Sequence, residues 1–133
     1  MKNFESGSKI RDRAERCLRE MREAFSERDW NLTIRRAQEA VELYLKSLLK
    51  CMNIEFPKVH NIAPLLIKEF PKIGISILPE EKDKLLFISS DLSRRRAPAL
   101  YQEEEYSREE AEEAKSGAIW VKGFSDLCWE KLI

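Results

Sequence analysis

Residues 30–52 read WNLTIRRAQEAVELYLKSLLKCM, with no Gly or Pro to interrupt them. Ile34, Ala37, Val41, Tyr44, Leu45, Leu48 and Met52 follow one another at steps of one, three and four, the spacing of a single helix face. Ala40 and Leu49 widen that face beyond a narrow seam, to the width of a helix covered on more than one side. Asp29 stands where its carboxylate caps free N–H groups and meets the positive helix end. This segment is expected to be the central helix of the molecule.

The neighbouring segments fit around it. On the N-terminal side, residues 1–7 are expected to fray and Ser8 to cap a first helix. The apolar face of that helix is Ile10, Ala14, Cys17, Leu18, Met21 and Phe25. Glu15 with Arg19, and Arg16 with Glu20, lie four apart and are expected to pair on its surface, at about 0.2–0.5 kcal/mol each. The link Ser26-Glu27-Arg28 is short, which implies an antiparallel hairpin. On the C-terminal side, Pro57 stops the central helix. Asn61 is expected to cap a short helix with Ile62, Leu65, Leu66 and Phe70 on its buried face. Pro64 is tolerated in its first turn, and Pro71 ends it. Residues 72–77, KIGISI, read as a packed loop.

Pro79 followed by Glu80 and Glu81 opens the next helix, with Leu85, Leu86, Ile88 and Leu92 inward. Residues 93–106, SRRRAPALYQEEEY, read as one long loop, and long loops in compact domains often carry function. Ser107 with Glu110 forms a capping box for the last helix, whose face is Ala111, Ala114, Ala118, Val121, Phe124 and Cys128. Trp120, Trp129, Ile119 and Leu132 give that helix a second apolar surface. The expected fold is all-α: an antiparallel up-and-down bundle of four long helices plus one short helix, one domain over residues 1–133. The wide central stripe and the extra aromatics motivate an expected homodimer.

Composition narrows the function classes. Lys plus Arg and Asp plus Glu each number 24, so net charge argues for neither a nucleic-acid nor a membrane partner. The charge is unevenly spread: residues 1–50 carry twelve basic and nine acidic side chains, and residues 101–117 seven acidic and two basic. Three widely spaced Cys, at positions 17, 51 and 128, form neither a disulfide framework nor a zinc pattern. Reduced thiols suit a cytoplasmic protein. No signal peptide and no membrane span is expected. There is no Gly-rich phosphate loop, no H-E-x-x-H and no G-x-S-x-G. No metal and no cofactor is expected.

Two places invite chemistry. His60 is the only His. Catalysis by it needs a second group, and the adjacent sequence supplies none, so a capping or structural role is expected. Arg94, Arg95 and Arg96 are the stronger candidates, because guanidinium groups bind phosphate bidentately. Tyr101 follows, able to stack on a base or donate its hydroxyl. The alternative is that these arginines pair with Glu103, Glu104 and Glu105 and tie down the loop. Those three acids, being consecutive, suit a metal poorly.

The runs AQEAVELYLKSLLK, PKVHNIAPLLIKEFP, LSRRRAPALY and YSREEAEEAKSGAIWV together resemble the HEPN domain (higher eukaryotes and prokaryotes nucleotide-binding) over about residues 8–130. The resemblance implies a dimeric helical bundle, often paired with a minimal nucleotidyltransferase in a toxin–antitoxin-type system. Many members are ribonucleases with an Arg, four to six intervening residues, and then a His. This chain departs from that pattern: no Arg precedes His60 at that distance, and no His follows Arg94–Arg96. Where non-nuclease relatives carry Ala-Arg-Tyr-Pro, this chain has Ala99-Leu100-Tyr101-Gln102. The implied function is a homodimeric module that binds nucleotide or RNA phosphate, or docks a nucleotidyltransferase. One alternative is a metal-independent ribonuclease using Arg94–Arg96 with Tyr101 or His60; the other is a purely structural helical dimer.

Overall fold

The computed structural model describes residues 2–133. Four long helices and one short one account for its regular structure: α1 (Phe4–Ser26), α2 (Trp30–Cys51), α3 (Ala63–Glu69), α4 (Pro79–Leu100) and α5 (Arg108–Leu132), with a 3-10 turn over Phe70–Ile73. This is the helical bundle the periodicity predicts. The central role of α2 follows from its width: it packs against α1, α4 and α5 and touches α3. Ile34, Ala37, Ala40, Tyr44, Leu45, Leu48 and Leu49 are fully buried. The Asp29 carboxylate accepts from the Leu32 N–H at 3.1 Å, as an N-cap should.

α1 begins earlier than Ser8. Asn3 is the true cap, accepting from the Ser6 N–H at 3.2 Å, while its own N–H donates to the Cys51 carbonyl at 2.7 Å. That second bond joins the start of α1 to the end of α2 and shows the hairpin to be antiparallel. Gly7 explains why the first turn is held down rather than frayed. It is buried, and a Cβ there would lie 3.0 Å from the Ser47 carbonyl and 3.2 Å from Cys51. Gly7→Val is expected to cost about 2 kcal/mol by overpacking, even though removing a helical glycine by itself favours the helix. Urea denaturation checks this, and a variant as stable as the parent would refute the close approach.

Several capping and pairing expectations change. Arg16 and Glu20 pair at 3.6 Å, but Glu15 turns away from Arg19 to Lys122 of α5 at 3.2 Å. Lys122 also meets Asp126 at 2.9 Å, and Asp126 meets Arg11 at 2.6 Å. This four-residue network fastens α5 to α1, and its Lys and Arg hold the Asp126 carboxyl below the usual range against the opposing effect of burial. Asn61 does not cap α3: Ile62 occupies that position without a side-chain bond, and the Asn61 Oδ1 instead accepts from the Ser89 hydroxyl at 2.6 Å. Pro71 ends the α-helix but continues as 3-10, closed by Gly74 at a φ of 79°, a conformation that favours glycine.

The largest correction is at residues 93–106. Ser93–Leu100 is the last two turns of α4, with Pro98 inside the helix. Proline removes one N–H and crowds the carbonyl four residues earlier, here that of Arg94. Only two residues of helix remain after it, so the disruption stays local. The connection is Tyr101–Ser107. Its fixed point is Asn31, 8% exposed. The Asn31 Nδ2 donates to the Glu104 carbonyl at 2.8 Å and to Gln102 Oε1 at 3.2 Å, and its Oδ1 accepts from the Tyr106 N–H at 3.0 Å.

The aromatic surplus of α5 is used within the chain. Trp129 meets Phe4 edge-on with centroids 5.9 Å apart and lies under Arg11, while Trp120 stacks on Phe124. The α2 stripe is likewise covered by its own neighbours. Cys17, Cys51 and Cys128 are free, and burial pushes their thiols up to about 11, 11 and 12. No helix among the described residues is long and apolar enough to cross a membrane.

Candidate functional site

Because residues 94–96 are helical, successive side chains are turned by roughly 100°, and the arginine triplet splays instead of converging. Arg94 points outward, its side chain 71% exposed, in contact with Asp91 at 2.6 Å. Arg95 points inward. Its side chain lies between Asp91 at 3.3 Å and Glu110 of α5 at 3.5 Å, over the Tyr106 ring, so it serves as a brace between helices. Arg96 is half-buried and has no ion-pair partner among the described residues. The acids at 103–105 make no ion pair with any of the three. They are exposed, and the segment is held by its backbone on Asn31.

Arg94 borders a groove of about 500 Å³ lined by Asn61, Leu86, Phe87, Ser90, Asp91 and Arg94. Phe87 and Arg94 lie seven residues, two turns of helix, apart on one stripe of α4, and Tyr101, the residue that caps the helix, follows at the same interval. Phe87 is 69% exposed and Tyr101 71%. At about 1.5 Å per residue the backbone positions of Phe87 and Tyr101 are about 21 Å apart along the helix axis, with that of Arg94 midway. Phe87 and Asn61 carry no sequence signal for this role; only the helical continuation through Ser93–Leu100 shows the alignment.

The segment carrying Asn61 also carries His60, and the structure supplies the partner that the adjacent sequence lacks. His60 Nδ1 lies 2.7 Å from Glu42 Oε1, donating to a carboxylate and leaving Nε2 as its second nitrogen. The imidazole is 49% exposed, the Glu42 side chain only 13%. Glu42 also accepts from Lys46 at 2.6 Å and from Gln38 Nε2 at 2.8 Å. Burial alone would raise its pKa, but the bonds from Lys46, Gln38 and His60 outweigh that and hold the carboxyl below its ordinary value. Lys46 in turn lies 5.3 Å above the Phe56 ring, so Glu42 holds the 53–62 segment at His60 directly and at Phe56 through Lys46. The Gln38 Oε1 is buried with no partner.

No group of three or more His, Cys, Asp or Glu side chains among the described residues is placed to hold a metal ion. The chemistry on offer is anion binding at Arg94, aromatic stacking beside it, and a histidine oriented by a shielded carboxylate.

These features define an all-α bundle with a groove of mixed lining beside its fourth helix. The chain matches the HEPN domain family over residues 8–122 and belongs to it. The crystal structure of ST0689, an archaeal HEPN homologue, is similar across 94% of this chain and 99% of that chain, at 28% identity and a TM-score of 0.63. Comparison with curated proteins gives no match.

Proposed function

We propose that this chain is a homodimeric HEPN module that binds the phosphate of a nucleotide or RNA on the outer face of α4. Arg94 carries this reading: it is the guanidinium of the triplet that borders a groove, held only by an exposed pair of the kind worth little, and so is able to take phosphate oxygens bidentately. Phe87 and Tyr101 supply stacking surfaces on either side, and Asn61 supplies an amide for a base edge or sugar. Binding of a labelled single-stranded RNA, measured by fluorescence anisotropy, is expected to weaken about tenfold in Arg94→Ala, with a shallower salt dependence. Equal affinity in parent and variant would refute the site. No binding by the parent would leave a protein, such as a nucleotidyltransferase, as the partner.

The Glu42–His60 pair favours a second reading, a metal-independent ribonuclease. Here His60 Nε2 takes the proton of a ribose 2′-hydroxyl, that oxygen attacks the adjacent phosphorus, and the 5′-oxygen leaves and is protonated by water. Cleavage in the presence of EDTA that is lost in His60→Ala supports it; an uncleaved RNA pool refutes it.

A further inference from the structure

The half-buried arginines fall into two sets. Arg11, Arg36 and Arg95 each meet a carboxylate, at 2.6, 2.7 and 3.3 Å. Arg35 and Arg96 are half-buried too and meet none among the described residues. Taking a cation out of water without a partner is unfavourable. The carboxylates close to them along their own helices are already engaged: Glu39 by Arg36, Glu42 by Lys46 and His60, and Asp91 by Arg94 and Arg95.

The two stand on one seam. α4 runs antiparallel to α2: at one end the Asn31 Nδ2 reaches the Ala99 carbonyl at 3.5 Å, and at the other the adjacent His60 and Asn61 bind Glu42 of α2 at 2.7 Å and Ser89 of α4 at 2.6 Å. Arg35 lies seven residues before Glu42, and Arg96 seven after Ser89. Seven residues are two turns of helix, so each arginine stands on the side of its helix that faces the His60–Asn61 segment. Each is about 10 Å along its helix from that segment, which sets the two level across the seam. Between Arg35 and Glu42, Gln38 keeps a buried Oε1 without a partner, so the floor there is polar. Arg94, two residues before Arg96, is turned by roughly 200° from it and opens on the other side of α4. We infer that Arg35 and Arg96 hold one phosphate of a single-stranded RNA between them, and that the strand continues along the seam toward His60. Two guanidinium forks match the oxygens of one phosphate, and the anion supplies the counter-charge that neither arginine finds within the chain. The inference rests on the RNA-phosphate reading given above and adds Arg35 to it. It makes an oligonucleotide the ligand, because one phosphate cannot occupy sites on opposite sides of α4.

Fluorescence anisotropy with a labelled single-stranded RNA tests this on the full chain. Arg35→Ala and Arg96→Ala are each expected to weaken binding about tenfold. Combined, they are expected to lose little more than either alone, because they share one phosphate. Either of them combined with Arg94→Ala is expected to lose about a hundredfold, the product of two separate sites. Arg96→Lys keeps the charge without the fork and is expected to fall between Arg96→Ala and the parent. Urea denaturation is expected to find the alanine variants as stable as the parent, which separates lost binding from lost folding. A hundredfold loss in the Arg35→Ala, Arg96→Ala double variant would assign the arginines to different phosphates and overturn the shared site. Equal affinity in parent and double variant overturns the seam and leaves the Arg94 site standing. If the parent binds no RNA, the rise in melting temperature produced by inorganic pyrophosphate decides. A rise lost in the double variant keeps the seam as a site for free phosphate groups and overturns the RNA strand; no rise overturns both.

Discussion

Replacing Asn31 with Ala is expected to destabilise the fold by about 2–4 kcal/mol, although the side chain is small and close to a helix end. The reason is the number of backbone groups that depend on it. Its amide donates to the Glu104 carbonyl and to Gln102, and its oxygen accepts the Tyr106 N–H, which lies in buried surroundings. Truncation leaves the buried Tyr106 N–H without a partner, at a cost of about 1–3 kcal/mol, and takes the donor from the half-buried Glu104 carbonyl as well. Gln102 adds to the dependence, because it adopts a φ of 57°, a conformation that a non-glycine residue holds only where its surroundings enforce it. Asn31→Asp should not rescue. It keeps the acceptor for Tyr106 but removes the donor and places a carboxylate against the Glu104 carbonyl. Urea denaturation measures the loss, and amide exchange at Tyr106 should quicken in the same variant. A change below about 1 kcal/mol would show that the Tyr101–Ser107 connection is held by something other than Asn31.

Asn31 also shows where sequence reasoning ran out. α2 was legible because thirteen of its side chains are buried and their period is unbroken. Pro79 and the Ser107–Glu110 box were legible because local chemistry alone determines a helix start, and both starts are where that chemistry puts them. Asn31, by contrast, sits on the helical stripe as a polar residue, and its partners are more than seventy positions away. The same limit hid the start of α1: Asn3 and Gly7 owe their order to Cys51 and Ser47, contacts across a hairpin that no local pattern records. At residues 93–106 a local signal misled. Pro98 and the arginine run resemble a break, yet arginine is a good helix former and a proline near a C-terminus disturbs little helix beyond it.

The candidate site divides in the same way. Arg94, Tyr101 and His60 could be singled out by residue type alone. Whether three arginines act together depends on whether they are helical, and as helix they separate into a groove wall at Arg94, a brace at Arg95 and a half-buried side chain at Arg96. The partner of His60 was missed because Glu42 reads as one more charge on the outer face of α2. Its shielding comes from the 53–62 segment folding back over it, and that return is visible only in three dimensions.

Glu42→Ala is the companion test, expected to cost about 3 kcal/mol at neutral pH. Removing one member of a shielded charge pair leaves the other without compensation. Here Lys46, with its side chain 14% exposed, would lose its carboxylate, while His60 and Gln38 would lose their acceptor. The pH dependence separates this cause from simple loss of packing. The folded carboxyl titrates below its ordinary value, so its contribution is fully present above the unfolded pKa, about 4.3 for a glutamate, and is lost as pH falls through the folded one. The stability gap between parent and variant should therefore be widest above about pH 5 and narrow steadily on acidification toward about pH 3. Asp126 and Glu110, whose carboxyls are also held low, lose their contributions in parent and variant alike and cancel in the difference. A gap that stays constant across that range would mean that Glu42 acts through packing and not through charge. A gap that closes would identify its carboxylate as what fastens Phe56, through Lys46, and His60 to the central helix. Amide exchange through residues 53–62 should then quicken in the parent at low pH just as it does in the variant at neutral pH.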